Sequence, residues 1–200
     1  MRLVLPQRAM ARLLLWTGRV LFAAAVSLLG YCGFVLMDTW VFQAEERRQL
    51  GQLLTLPASA RASLPAVSGG LIGHIEIPRL GLSAIIMEGT SSKTLRRAVG
   101  HIAGTALPGQ PGNVGLSGHR DTFFRPLRNI QQNDLITLRT LAGDYRYRVL
   151  STRIVAPVEI AVLEPGGGEI LTLVTCYPFY FVGSAPDRFV VRAERVRDVS

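Results

Sequence analysis

The stretch Ile170-Leu171-Thr172-Leu173-Val174-Thr175-Cys176-Tyr177-Pro178-Phe179 decides the reading of this chain, because an apolar strand ends on a thiol and is then broken by proline. Side chains alternate between the two faces of a strand, so Leu171, Leu173 and Thr175 share one face and Thr172, Val174 and Cys176 the other. Working outward, Asn113-Val114-Gly115-Leu116-Ser117-Gly118-His119 reads as a second strand. With Val114 and Leu116 toward a core, Asn113, Ser117 and His119 point away from it. In a third run, Arg188-Phe189-Val190-Val191-Arg192-Ala193, the more apolar set Phe189, Val191 and Ala193 leaves Arg188, Val190 and Arg192 on the opposite side. A nucleophile, a base and a permanent cation are thus predicted at strand ends, all off the core face.

The rest of the domain has the same texture. Ile72 to Ile77 and Leu82 to Met87 read as strands joined around Pro78 and Gly81, and a helical interval follows over 92–99. A short helix or turn is expected near 124–130. Strands are expected over 135–140 and 145–155, with Ala142-Gly143-Asp144 as the hairpin turn between them. A surface loop containing Glu164-Pro165-Gly166-Gly167-Gly168 leads into the Cys176 strand. About eight short strands and few helices make the chain mainly β, a small barrel or sandwich.

At 200 residues, with an apolar N-terminal stretch set aside, the remainder suits one domain. Residues 20–37 carry no charge and extend through Thr39-Trp40-Val41-Phe42 into a membrane span if Asp38 sits at the interface. Arg2, Arg8, Arg12 and Arg19 precede it with no acid, which places the N-terminus in the cytoplasm and the following domain outside it. The expected organisation is a basic N-terminus at 1–19, a transmembrane anchor at 20–42, a juxtamembrane helix and linker at 43–70, and a catalytic domain at 71–200. The linker holds the domain off the bilayer. A cleaved signal peptide is the rival, but its small-residue run Ala23-Ala24-Ala25 lies inside the apolar segment. Lipidation at Cys32 is opposed by the bulky Tyr31 before it.

The formal charge of +8 gives no nucleic-acid reading. Four arginines precede the span, and Arg192, Arg195 and Arg197 are interrupted by Glu194 and Asp198, the pattern of a solvated face. No zinc spacing, helix-turn-helix pattern or aromatic-basic motif accompanies them. Cys32 and Cys176 are the only two cysteines, one in the span and one in the domain, so no structural disulfide and no Cys-x-x-Cys redox pair is expected. Glu76, Glu88 and Asp134 do not form a calcium-type cage, and no metal or other cofactor is predicted.

Thiolate is the reactive form of cysteine, and an ordinary thiol ionises near ~8.5, so a neighbouring histidine or arginine raises its reactive fraction. His119 is the candidate base and acid, and Arg188 the candidate oxyanion or backbone donor. His74 and His101 lack such neighbours and read as surface or structural histidines. Asp121 either orients the His119 imidazole or caps the next turn. Tyr177 and Phe179 either wall a substrate groove or pack, and Thr175 beside the nucleophile is a further groove candidate.

These residues carry a resemblance. Thr172-Leu173-Val174-Thr175-Cys176, Arg188, the segment Leu116-Ser117-Gly118-His119-Arg120-Asp121-Thr122 and the chain order His, Cys, Arg resemble the sortases, membrane-anchored cysteine transpeptidases of bacterial envelopes. Similarity runs from about residue 70 to residue 196. The details Tyr177-Pro178-Phe179 and Ser184-Ala185-Pro186-Asp187-Arg188-Phe189 look most like class D sortases and their Gram-negative relatives. The resemblance implies an eight-stranded barrel with short helices behind one transmembrane helix, and His119, Cys176 and Arg188 as catalytic residues. It also implies an exported protein with a C-terminal sorting signal as substrate and an amine as acceptor. The location implied is the cytoplasmic membrane with the domain outside, periplasmic in a Gram-negative cell. A peptidase using water as acceptor and a non-catalytic peptide-binding module remain alternatives. The L,D-transpeptidases differ, because their Ser-His-Gly-Cys neighbourhood is absent.

Overall fold

The computed structural model describes residues 7–57, 60, 70–165, 167–180 and 183–196. Most of the expected linker, the first arginine of the basic N-terminus, Gly166, Arg197 and Asp198 lie outside the described residues. Two compact units result, 1–41 and 42–200.

In the first unit the chain is helical from Gln7, and the side chains of Leu14, Leu21, Phe22, Leu29 and Leu36 are exposed. The helix, α1 (Gln7–Leu54), is long and apolar enough to cross a membrane.

The second unit is a closed eight-stranded barrel. Its strands are β1 (Leu71–Ile77), β2 (Leu82–Glu88), β3 (Val99–His101), β4 (Gly112–Ser117), β5 (Leu135–Thr140), β6 (Gly143–Val155), β7 (Glu169–Tyr177) and β8 (Asp187–Val196). Around the barrel they run β1-β2-β3-β4-β7-β8-β6-β5, with β5 closing on β1. The β2/β3 and β4/β7 pairs are parallel. A parallel pair needs a crossover connection: α2 (Ser92–Arg97), capped by the Ser91 hydroxyl on the Thr94 amide at 3.1 Å, supplies the first. The second contains β5, β6 and the 3-10 turns Arg125–Asn129 and Ile160–Leu163.

Alternation fills the interior. Ile75, Ile86, Leu116, Leu138, Leu173 and Val191 come from six different strands and are wholly buried, and Phe124 and Leu127 pack against the same core from the turn after β4. Two sequence expectations shift by small steps. Val99-Gly100-His101 is a strand, too short for its period to be read, rather than the end of the helical interval. The β5/β6 turn centres on Leu141 and Ala142, because Thr140 pairs with Gly143 and its hydroxyl ties the turn through the Gly143 carbonyl and the Ala142 amide.

The end of α1 belongs to this unit. Leu50 is buried with Leu71, Ile85, Ala98 and Leu141, and Phe42, Leu53 and Leu54 pack around them in a second core outside the barrel. Gln43, 5 % exposed, donates from Nε2 to the Arg97 carbonyl at 2.6 Å and accepts the Ile85 amide at 3.0 Å. A buried amide needs such partners. The end of α1 is therefore docked on β2 and α2 through both polar ends of one side chain.

Candidate active site

Two strand pairings bring the candidate residues together. Across the antiparallel β7/β8 ladder Cys176 is the register partner of Arg188, which also pairs with Val155 of β6. Directly opposed residues share a face with Cβ atoms about 4.5–5.5 Å apart, so sulfur and guanidinium start from adjacent positions. The face is the outer one, since Leu171, Leu173 and Thr175 are buried on the inner side while Cys176 and Arg188 are half-buried.

Across the parallel β4/β7 seam, Ser117 pairs with Val174. The next step is still bonded: the Gly118 amide donates to the Val174 carbonyl at 3.2 Å and the Thr175 hydroxyl donates to the Gly118 carbonyl at 2.7 Å. His119 follows immediately and is half-buried. Its carbonyl accepts the amides of Thr122 at 3.4 Å and Phe124 at 3.1 Å, which folds the chain into a turn there. Glycine is required before it, because a Cβ at Gly118 would lie 2.9 Å from the Phe124 ring. One register thus sets His119 beside the end of β7 and the other sets Arg188 beside Cys176.

Arg188 supplies a cation at this end. Arg188 donates to the carbonyls of Ala185 at 3.3 Å and Asp187 at 2.9 Å, and no carboxylate pairs with it among the described residues. Arginine donors not engaged there remain available to an incoming carbonyl.

Further along the same outer face, the 3-10 turn Ile160–Leu163 covers part of β7. Thr172, at the non-core parity, is nevertheless fully buried: its hydroxyl donates to Asn113 Oδ1 at 2.8 Å, and Asn113 donates to the carbonyls of Val162 and Glu164. Beside this contact a recess of roughly 140 Å³ is lined by Thr172, Val190, Arg192, Ser151, Arg153 and Glu159. Thr172 pairs with Arg192, and Arg192 with Ser151. The recess therefore begins on the same face, four residues along each strand from Cys176 and Arg188.

The remaining candidates fall in distinct places. Thr175, a groove candidate, instead points into the barrel at 3 % exposure, where the Gly118 carbonyl takes its hydroxyl; strand parity required this. Tyr177 is half-buried in a ring cluster, 6.1 Å edge-on from Phe179 and 6.4 Å stacked on Phe189. Asp121 is exposed and lies 3.8 Å from Arg120 Nε, its one ion pair among the described residues.

His74 and His101 are both buried and structural. His74 bonds Ser83 Oγ at 2.9 Å, and His101 bonds Glu88 at 2.9 Å and the Ala106 carbonyl at 3.0 Å. Burial, reinforced by Arg47 and Arg139 and opposed by Glu76, lowers the His74 pKa. Glu76, Glu88 and Asp134 each face a different cationic or histidine partner. Asp134 is held below the usual carboxylate range first by its bond to Arg79 and also by the Gln131 amide.

Sequence reasoning gave no role to Arg120. Its side chain is buried, with Nη1 on the Pro178 carbonyl at 3.1 Å and Nη2 on the Gly183 carbonyl at 3.0 Å. The only cue in the sequence was its place directly after His119.

Comparison with known proteins agrees with this geometry. The Sortase domain family profile matches residues 75–196. Sortase D of Bacillus subtilis is 31 % identical over 189 residues, covering 88 % of this chain and 96 % of that protein. Sortase SrtE1 of Streptomyces coelicolor is 35 % identical over 123 residues, covering 52 % of this chain and 35 % of that one. Among solved structures, the Clostridium perfringens sortase D5 transpeptidase superposes with a TM-score of 0.69 at 23 % identity, covering 78 % of this chain and 99 % of that one, and so supports the fold. Sortase C1 of Streptococcus agalactiae gives a TM-score of 0.62 at 31 % identity over 72 % of this chain and 79 % of that one. With the profile spanning most of the barrel and a class D relative aligned over nearly its full length, the chain belongs to the sortase family.

Proposed function

We propose that this protein is a membrane-anchored transpeptidase in which Cys176 is the nucleophile, His119 the acid and base, and Arg188 the oxyanion donor. The Cys176 sulfur bonds to the carbonyl carbon of a peptide in an exported protein's C-terminal sorting signal. As the C–N bond breaks, His119 gives its proton to the departing amine, leaving a thioester. An acceptor amine then attacks the thioester carbon, its proton passes to His119, and the sulfur is released. Arg188 donates to the oxygen that becomes negative in each addition step, an interaction worth about 3 kcal/mol in comparable sites.

The observation that carries this reading is the Cys176–Arg188 register pair together with the bonded β4/β7 seam that ends at His119. The recess on the same face, four residues along β7 and β8 from that pair, offers a place for substrate side chains. Helix α1 serves as the anchor, with the N-terminus in the cytoplasm and the barrel on the far side of the membrane.

The test is mass spectrometry of the full chain in detergent after exposure to synthetic peptides copied from the C-terminal tails of exported proteins. An acyl adduct on Cys176, with product yield that shifts to the amide when an amine is added, is the expected result. Cleavage that no amine redirects would make the protein a peptidase, and cleavage without an adduct would remove Cys176 from the chemistry. Labelling of Cys176 in intact cells by a membrane-impermeant maleimide after outer-barrier permeabilisation checks the orientation.

A further inference from the structure

Arg120 is placed to hold the connection between Cys176 and Arg188. Guanidinium bonds reach the carbonyls of Pro178 and Gly183, which bracket the first half of the connection between Cys176 and Arg188. The same residue is covalently next to His119, so one side chain joins the turn carrying the imidazole to the loop carrying sulfur at one end and guanidinium at the other. Burying a cation is costly, and apolar packing stabilises a loop as well or better, so stability alone is a poor reason to find an arginine here. Geometry is a better one: the planar fork of arginine fixes two acceptors at a set spacing, which a lysine ammonium on a flexible stem does not.

A second tie lies outside it. Arg128, on the 3-10 turn after His119, donates to the Tyr180 hydroxyl at 2.8 Å and sits 5.5 Å from that ring's centre. Tyr180 is 76 % exposed, so this tie is in contact with water and correspondingly weak.

We propose that Arg120 is a positioning residue that locks the 178–183 loop to the His119 turn, so that sulfur, imidazole and guanidinium keep one mutual geometry during acylation. The inference rests on the roles assigned above to His119, Cys176 and Arg188. It acts through main-chain carbonyls, and its expected signature is therefore a loss in kcat at nearly constant KM.

The experiment compares the full chain in detergent with Arg120→Ala, Arg120→Lys and Arg128→Ala, using a quenched fluorescent version of a peptide that acylates Cys176. Misplacement of catalytic groups by about 1 Å costs on the order of 100-fold, so Arg120→Ala should lose roughly that in kcat with KM within about threefold. Millimolar guanidinium should restore part of the loss. Arg120→Lys, which keeps the charge, should lose about tenfold, and Arg128→Ala no more than about threefold. If the alanine variant does not fold, the lysine variant decides: wild-type kcat in Arg120→Lys overturns the proposal. Hydrogen exchange separates this failure from failure of the functional reading. Amides of 178–180 and 183–188 should exchange at least about tenfold faster in Arg120→Lys, and unchanged exchange overturns the clamp whether or not the wild type forms an adduct.

Discussion

The barrel has two covered flanks, and they are covered in opposite ways. Over β1 and β2, the end of α1 lays Leu50 and its neighbours against Leu71, Ile85 and Ala98, and the one buried polar side chain it contributes, Gln43, has both amide atoms satisfied. Over β4 and β7, a 3-10 turn packs on Asn113, Gly115 and Thr172, and beside it a recess opens at Thr172, Val190 and Arg192 on the β7/β8 face that also carries Cys176 and Arg188. A dry, apolar contact contributes free energy in proportion to its area, whereas charged groups left at a half-open recess contribute little to stability. Of the two flanks, one carries the apolar packing and the other the proposed chemistry.

Substitutions on the two flanks should therefore separate activity from stability, and the largest separation is expected at Cys176, the proposed nucleophile. Cys176→Ala should abolish the acyl adduct while leaving the thermal midpoint within a few degrees, read by mass spectrometry and circular dichroism. A large drop in midpoint would mean that Cys176 packs rather than reacts.

On the opposite flank Leu50→Ala removes a side chain that is 4 % exposed and should cost about 2–5 kcal/mol of unfolding free energy. Turnover per folded molecule should stay at the wild-type value. Lost turnover at full folding would show that the docked helix reaches the site, and the contrast between flanks would fail.

Arg188→Lys preserves charge and removes the planar donor set. A fall of about 100-fold in kcat/KM, or about 2.7 kcal/mol, is expected with unchanged stability.

Smaller effects lie in the ion pairs that hold the turns. Asp134 accepts from Arg79 and from the Gln131 amide at 2.8 Å, and the Arg79 bond is the main reason its pKa is lowered. A carboxylate with a depressed folded pKa stabilises above its unfolded value of ~3.9 and loses that contribution as pH falls through the folded value. Asp134→Asn should cost about 1–2 kcal/mol near neutrality, since Arg79 is partly solvated, and the gap from wild type should close as the pH drops well below ~3.9. His74 gives the smallest effect. Burial keeps its folded pKa below the ordinary ~6.5, so its contribution is present above that pH and is lost on acidification. His74→Gln should flatten the stability profile just below ~6.5 in urea titrations.

Much of this arrangement was readable from alternation alone. The parity of Leu171, Leu173 and Thr175 against Val174 and Cys176, repeated in Phe189, Val191 and Ala193 against Arg188, fixed which side chains leave the core, because period two is a local property of a strand. Strand order and pairing are nonlocal, so only the resemblance, and not the spacing of residues, led to a closed barrel. β3 escaped because three residues show no period. The buried outer-face positions Thr172 and Asn113 broke the alternation because a connection 49 to 51 residues away in sequence from Asn113 folds over them. Arg120 was hidden for the same reason: an arginine in a turn reads as solvated until a distant loop encloses it.

Closure of the barrel also constrains how a partner chain can be held. Every strand has two hydrogen-bonded neighbours, so the sheet has no terminal strand onto which an extended guest could add. A peptide substrate of the kind proposed above would then be recognised mainly through side chains and through the loops at one rim. Exchanging the 156–168 and 178–186 connections between related barrels should consequently transfer guest preference while leaving the scaffold intact.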